Sequence, residues 1–343
     1  MTDALAANAA LISKPGWFAH RIDPERDLFH LIPATRAELR AATFLTNENL
    51  PSATAAVPAA RAATVALATR RAPVHFLFHS AFCCSTLLAR ALDVDGTAVS
   101  LKEPVILNDL TGWRDRGGAP ALVARAVDES LRLLEQTAQP GEAVLIKPSN
   151  LVNPLAPAAL ALRADARAIL LHAPLGTFIA SVASKGLEGR LWVRDLWAKL
   201  LWGGAEPFGF TSEELFRHSD LQVAALAWLA QHREFAALVQ RFGPRVATLS
   251  SVDLLADPTR ALEAAARHYG LVLDQPMAAA IAMGPIFTRH AKSGQPFDAA
   301  ARDAVHRVAA DAHRGEIELV ERWATIVADR AGVALKLARP LLA

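Results

Sequence analysis

The chain has little cysteine. Its only two, Cys83 and Cys84, are adjacent, so no disulfide framework can form, and a reducing compartment is the natural home of such a sequence. It also has no excess of charge: 36 basic residues against 34 acidic ones leave a net +2, which supplies no broad field for gripping nucleic acid. A basic site, if there is one, must be local. Long hydrophobic runs are missing as well. The most apolar stretch, residues 156–175, is interrupted by Arg163, Asp165 and Arg167. The opening MTDALAANAALISK carries an early acid and no basic segment ahead of an apolar one, unlike a secretory signal. These absences lead us to expect a soluble, cytoplasmic protein with no membrane span and no nucleic-acid partner. Aromatic residues make up 6% although 52% of residues are apolar, and the excess is alanine, which favours helix without filling much volume.

The 343 residues are enough to bury a substantial core. Residues 1–72 contain polar helix-like patches and an Ala/Pro-rich stretch, which read as an N-terminal helical arm with a connecting helix. From residue 73 onward short apolar runs alternate with longer helical ones. The runs are VHFLF (74–78), TAVSL (97–101), AVLIK (143–147), AILLH (168–172) and RVATLS (245–250). Between them lie amphipathic segments such as APALVARAVDESLRLLEQTA. The pattern predicts an α/β domain over residues 73–343, three layers with a central, mostly parallel sheet flanked by helices. Such sheets place ligands at the carboxyl ends of their strands. There the sequence offers His79 and Ser80, then Lys102 and Glu103, then Lys147, and then His172.

The first strand runs into a turn, VHFLFHSAFCCSTLLAR, and then into a helix. Strand, small-residue turn and helix is a common way to hold a phosphate on backbone N–H groups. The two glycines and the lysine that usually mark such a loop are missing. Composition alone leaves a phosphate cradle and a plain strand-to-helix corner both open.

The order of motifs resembles that of the bacterial sulfotransferase family, a branch of the P-loop fold. SAFCCSTLLARALD looks like the family's 5′-phosphosulfate loop, KEP at 102–104 is similar to its segment after the second strand, and IKPSN at 146–150 resembles its third strand end. RADARAILLHAPLGTFIASV and RVATLSSVDLLADPTRALEAAARHYGL resemble its later units, so the likeness runs from residue 74 to about residue 300. The resemblance implies a nucleotide-binding transferase. It would use 3′-phosphoadenosine-5′-phosphosulfate (PAPS) as co-substrate, with no metal, and a small molecule, sugar or peptide as acceptor.

It further implies that Ser80, Ala81, Phe82, Cys83, Cys84, Ser85 and Thr86 form the donor loop, with Phe82 where the family has a basic residue and Cys84 where it has glycine. His172 falls where the family has the arginine for the 3′-phosphate. The matching serine falls at Ala180, with Ser181 beside it. Arg289, Lys292 and Gly294 fall where a basic loop closes over the donor.

Glu103 is the candidate general base. Lys147 and Lys102 are the nearest replacements for the missing loop cation, since sulfuryl transfer builds negative charge on the leaving phosphate. His79 is a further catalytic candidate. His75 and His79 lie four residues apart on a strand, about 13 Å by strand rise, too far to share a zinc whose ligands sit within about 2.3 Å, so no metal is expected. Residues 183–202 combine Lys185, Arg190, Arg194 and Lys199 with three tryptophans, an amphipathic helix preceded, at Gly186 and Gly189, by a loop with freedom to move, from which Lys185 or Arg190 could reach a 3′-phosphate. Two rival functions fit the same pattern: a P-loop phosphotransferase using ATP, and a catalytically inactive binding protein that keeps the fold.

Overall fold

The computed structural model describes residues 2–288 and 313–342. The five apolar runs become strands at the expected places. After β1 (Trp17–Asp23), β2 (Leu28–Pro33) and β3 (Val57–Ala60) come β4 (Val74–His79), β5 (Ala98–Lys102), β6 (Ala143–Lys147), β7 (Ala168–His172) and β8 (Val246–Ser250). The last five form one sheet in the order β5-β6-β4-β7-β8. β4 and β5 both run parallel to β6, with Val74 opposite Val144 and Lys102 opposite Lys147. Every residue of β4, β5 and β6 is buried. Burial on both faces explains why these strands read as unbroken apolar runs rather than alternating ones. β4 comes first in this domain and stands at the centre of the sheet, so later strands are laid to either side of it. The carboxyl end of such a strand is where open α/β sheets take their ligands.

Two compact units are distinguishable. The first comprises Met1–Phe78, Thr86–Ala168 and Ala265–Asp274. Its N-terminal part corrects the expectation of a helical arm. Helices Thr2–Ala9, Arg36–Ala41 and Arg61–Leu67 are present, but β1, β2 and β3 form an antiparallel sheet among them. This segment is tied into the unit by ion pairs: Arg61 with the buried Glu129 of helix Pro120–Leu134, and Arg21 with Asp109 of helix Val105–Asp115 at 2.5 Å. Helix Pro120–Leu134 buries Val123, Val127, Leu131 and Leu134, the three-and-four spacing of a core-facing stripe. Tyr269 donates from its hydroxyl to the carbonyl of Phe76 at 2.8 Å, so the end of helix Pro258–Tyr269 is pinned to β4.

The second unit comprises His79–Ser85, Ile169–Ala264 and Gln275–Ala343. Its longest helix, Asp220–Phe242, starts at a capping box of Ser219 with Gln222 and stops at Gly243, whose φ of 54° suits glycine. Helices Leu175–Ser184 and Gly186–Trp202 meet at Lys185. The loop expected around Gly186 and Gly189 is instead a close joint. A β-carbon at Gly189 would collide with the carbonyl oxygen of Val182, so glycine serves close packing here rather than movement. Among the described residues no helix is long and apolar enough to cross a membrane.

Candidate functional site

Within the second unit, the turn after β4 takes an unusual backbone path. Ala81, Phe82 and Cys84 all lie in the left-handed region, at φ 67°, 49° and 62°. That region costs an L-residue about 1–2 kcal/mol, and a bulky side chain there is rare. Three such residues around the buried Cys83 persist only when their surroundings over-determine them. Left-handed residues in a tight turn aim successive N–H groups to one side, which makes a concavity for anions. At Cys84 the backbone takes a conformation that costs glycine nothing, and the chain adopts it with a side chain present.

Several hydrogen bonds anchor this turn. Ser80 donates its N–H to Leu171 O at 3.2 Å, and Ala81 donates its N–H to Nδ1 of the buried His79 at 3.1 Å. Nδ1 therefore accepts, and the neutral ring carries its proton on Nε2. The Ser80 hydroxyl is buried and finds no partner among the described residues. Ser85 and Thr86, both buried, open the helix Ser85–Ala91.

Residues 79–86 contain no lysine, arginine, aspartate or glutamate. The side chain at the position expected to be basic, Phe82, packs edge-on against Trp192 at 4.8 Å between ring centres and lies 5.7 Å from Phe178. Lys185 holds its ammonium 5.9 Å from the centre of the same ring. Further along the unit, the half-buried His172 meets His232 edge-to-face at 5.0 Å, and His232 stacks on Trp228 at 3.6 Å. Burial lowers the pKa of His172 despite the raising influence of the Ala173 carbonyl and Asp253. A half-buried imidazole whose charged form burial disfavours is a poor stand-in for an arginine's permanent charge. Ser181 spends its hydroxyl proton on Thr177 O at 2.7 Å, one turn back in its own helix.

The first unit contains the other candidates. Glu103 and Lys147 follow or end neighbouring parallel strands and form an ion pair, Lys147 Nζ to Glu103 Oε1 at 2.5 Å. The backbone reinforces it, with the Glu103 N–H donating to Lys147 O at 2.6 Å. Glu103 sits at φ 53°, a fourth non-glycine residue in the left-handed region on a strand's carboxyl end. Lys147 is fully buried while the Glu103 side chain is 20% exposed, so solvent and substrates meet the carboxylate rather than the ammonium. Phe44 adds a ring 5.5 Å from that ammonium.

Lys102 is engaged by the backbone. Its buried ammonium donates to the carbonyls of Leu39 and Arg40 at 3.2 and 2.9 Å, and burial lowers its pKa to about 8. Arg289, Lys292 and Gly294 lie outside the described residues. Sequence reasoning did not find Phe44 or His232. Phe44 lies in the arm and has no local signal linking it to Lys147. His232 sits in a long Ala-rich helix whose pattern says only that it is buried.

No family model matches the chain, and no curated protein matches it. Solved structures similar to it at low identity include the following two. One is a sulfotransferase domain from the curacin biosynthetic pathway, 17% identical, with 78% of this chain and 100% of that one covered and a TM-score of 0.45. The other is the sulfotransferase STF1 from Mycobacterium tuberculosis H37Rv, 15% identical, with 64% and 73% covered and a TM-score of 0.39.

Proposed function

We propose that the protein is a sulfotransferase that moves the sulfuryl group of PAPS to a hydroxyl or amine of a small molecule, sugar or peptide. The observation that carries this reading is the turn of residues 80–86, where Ala81, Phe82 and Cys84 hold a left-handed backbone at the end of the central strand. Conformational strain maintained without glycine calls for a use, and an anion-binding concavity supplies one. On this reading the N–H groups that follow Ala81 in the turn and the hydroxyls of Ser85 and Thr86 take the 5′-phosphosulfate, while His172 and Ser181 mark the nucleoside end.

Transfer is in-line. The acceptor oxygen or nitrogen forms a bond to sulfur as the bond from sulfur to the bridging oxygen breaks. The electron pair of that bond leaves with 3′-phosphoadenosine-5′-phosphate, and the acceptor's proton passes to Glu103. Lys147 is engaged by Glu103, so its role on this reading is to fix the carboxylate's direction. Alignment of donor and acceptor supplies much of the rate, as in phosphoryl transfer.

The test is turnover of PAPS with a panel of phenolic, sugar and amine acceptors. Glu103→Gln should lower kcat about 10²–10⁴-fold and leave donor affinity within a few-fold. A second reading, a binding protein without turnover, is favoured by one observation, a half-buried histidine, His172, at the position where the resemblance expects an arginine. It predicts donor binding in calorimetry with no product from any acceptor.

A further inference from the structure

We infer that Lys185 is the cation of the phosphate loop, delivered from a helix joint outside the loop and set against the 5′-phosphosulfate end of the donor. The inference rests on the sulfotransferase reading. Breaking the bond from sulfur to the bridging oxygen leaves negative charge on the departing phosphate, and a positioned cation there stabilises the transition state. The turn offers none of its own.

Four cations lie along residues 183–202, and their partners sort them. Arg190 reaches Glu316 at 3.4 Å and Asp220 at 3.6 Å, Arg194 pairs with Asp220, and Lys199 pairs with Asp195 at 2.5 Å. Lys185 has no carboxylate partner among the described residues. Its neighbour is the Phe82 ring, 5.9 Å away, in the middle of the turn.

The placement is built rather than incidental. Lys185 caps the end of helix Leu175–Ser184, with its N–H donating to Val182 O at 3.3 Å, and the next helix starts at Gly186. Gly189, one turn into that helix, packs so closely on Val182 that no β-carbon fits. The backbone of Lys185 is therefore fixed between two helices. Each of those helices also grips the Phe82 ring, the first through Phe178 and the second through Trp192. A phenylalanine at φ 49° is conformationally costly. Its ring gives the exposed ammonium a face to rest on beside the turn, and the ammonium stays available to an anion. Charge missing from the turn is thus restored by a side chain a hundred residues further along the chain.

The experiment is calorimetric titration of the whole protein with two ligands, 3′-phosphoadenosine-5′-phosphate and adenosine 5′-phosphosulfate, which lacks the 3′-phosphate. Lys185→Ala should weaken both by about 10–100-fold, the value of a hydrogen bond to a charged group. Lys185→Arg should stay within about threefold of wild type. Lys185→Ala combined with Phe82→Lys, which moves the charge into the turn, should recover most of the loss. Should that double variant fail to fold, the Ala and Arg variants at the exposed Lys185 still decide. Wild-type binding that Lys185→Ala leaves unchanged overturns the inference and leaves the sulfotransferase reading standing. A loss confined to the ligand with the 3′-phosphate also overturns it, since Lys185 would then serve the other end of the donor. If the wild-type protein binds neither ligand, the sulfotransferase reading fails and this inference fails with it.

Discussion

Removing the charge of Glu103 should expose how much the first unit depends on the pair it forms with Lys147. The ammonium of Lys147 is fully buried, and Glu103 is the carboxylate recorded against it, at 2.5 Å. Breaking a buried pair by removing one partner costs about 3–5 kcal/mol, because the other charge is left without compensation. Glu103 is 20% exposed, so water can approach the stranded ammonium, and the Phe44 ring stays at 5.5 Å. Both soften the loss toward the low end of that range. Glu103→Gln keeps the shape and the left-handed backbone, so strain cancels between the two forms, and it should cost about 3 kcal/mol.

Lys147→Met leaves a carboxylate that reaches solvent and should cost about 1 kcal/mol, near the lower edge of what unpaired buried polar groups lose. The two changes together should cost about as much as Lys147→Met alone, because no unpaired charge remains. Urea unfolding of the four proteins at pH 7.5 measures the cycle. Costs that add to within about 0.5 kcal/mol would show that the pair is not coupled and would refute this account of the strand ends.

Three further outcomes follow from the same geometry. His232 is fully buried with both ring nitrogens unpartnered among the described residues, and burial lowers its pKa from 6.5 to about 2. Below pH 6.5 the unfolded chain takes up a proton that the folded ring refuses, so stability falls as pH drops through the acid range. His232→Phe removes that penalty, so its stability relative to wild type should be about 2 kcal/mol more favourable at pH 5 than at pH 8; the same difference from wild type at both pH values in urea titrations would contradict the burial argument. Gly189→Ala forces a β-carbon into the Val182 carbonyl and should destabilise the protein by about 1–3 kcal/mol, and a melting temperature at or above wild type would show that the joint yields. Ser85→Ala with Thr86→Ala should weaken donor binding without a comparable change in melting temperature, checked by calorimetry beside a thermal scan.

The sheet was legible because its physics is local in sequence. Strands covered on both faces need continuous apolar residues, and VHFLF, AVLIK and AILLH supply them. The N-terminal sheet was not, since β3 is the four residues VPAA, whose proline and alanines carry no strand signal and which pairs by tertiary context. The turn was half legible. Strand, turn and helix could be read in order, but nothing about Ala81, Phe82 or Cys84 announces positive φ, because side chains of those types rarely adopt it. Lys102 and Lys147 looked alike in sequence, each ending an apolar strand. Their partners separate them: the carbonyls of Leu39 and Arg40, from the arm, take Lys102, and Glu103 takes Lys147. Such long-range pairings leave no periodic trace.

The most direct measurement is calorimetric titration of the purified wild-type protein with 3′-phosphoadenosine-5′-phosphate, run beside the Ser85→Ala, Thr86→Ala double variant. The account predicts one site per chain with micromolar affinity in the wild type and at least a tenfold loss in the variant. No heat of binding to folded wild-type protein, or equal affinity in the variant, would contradict the claim that the glycine-free turn after the central strand is a phosphate cradle.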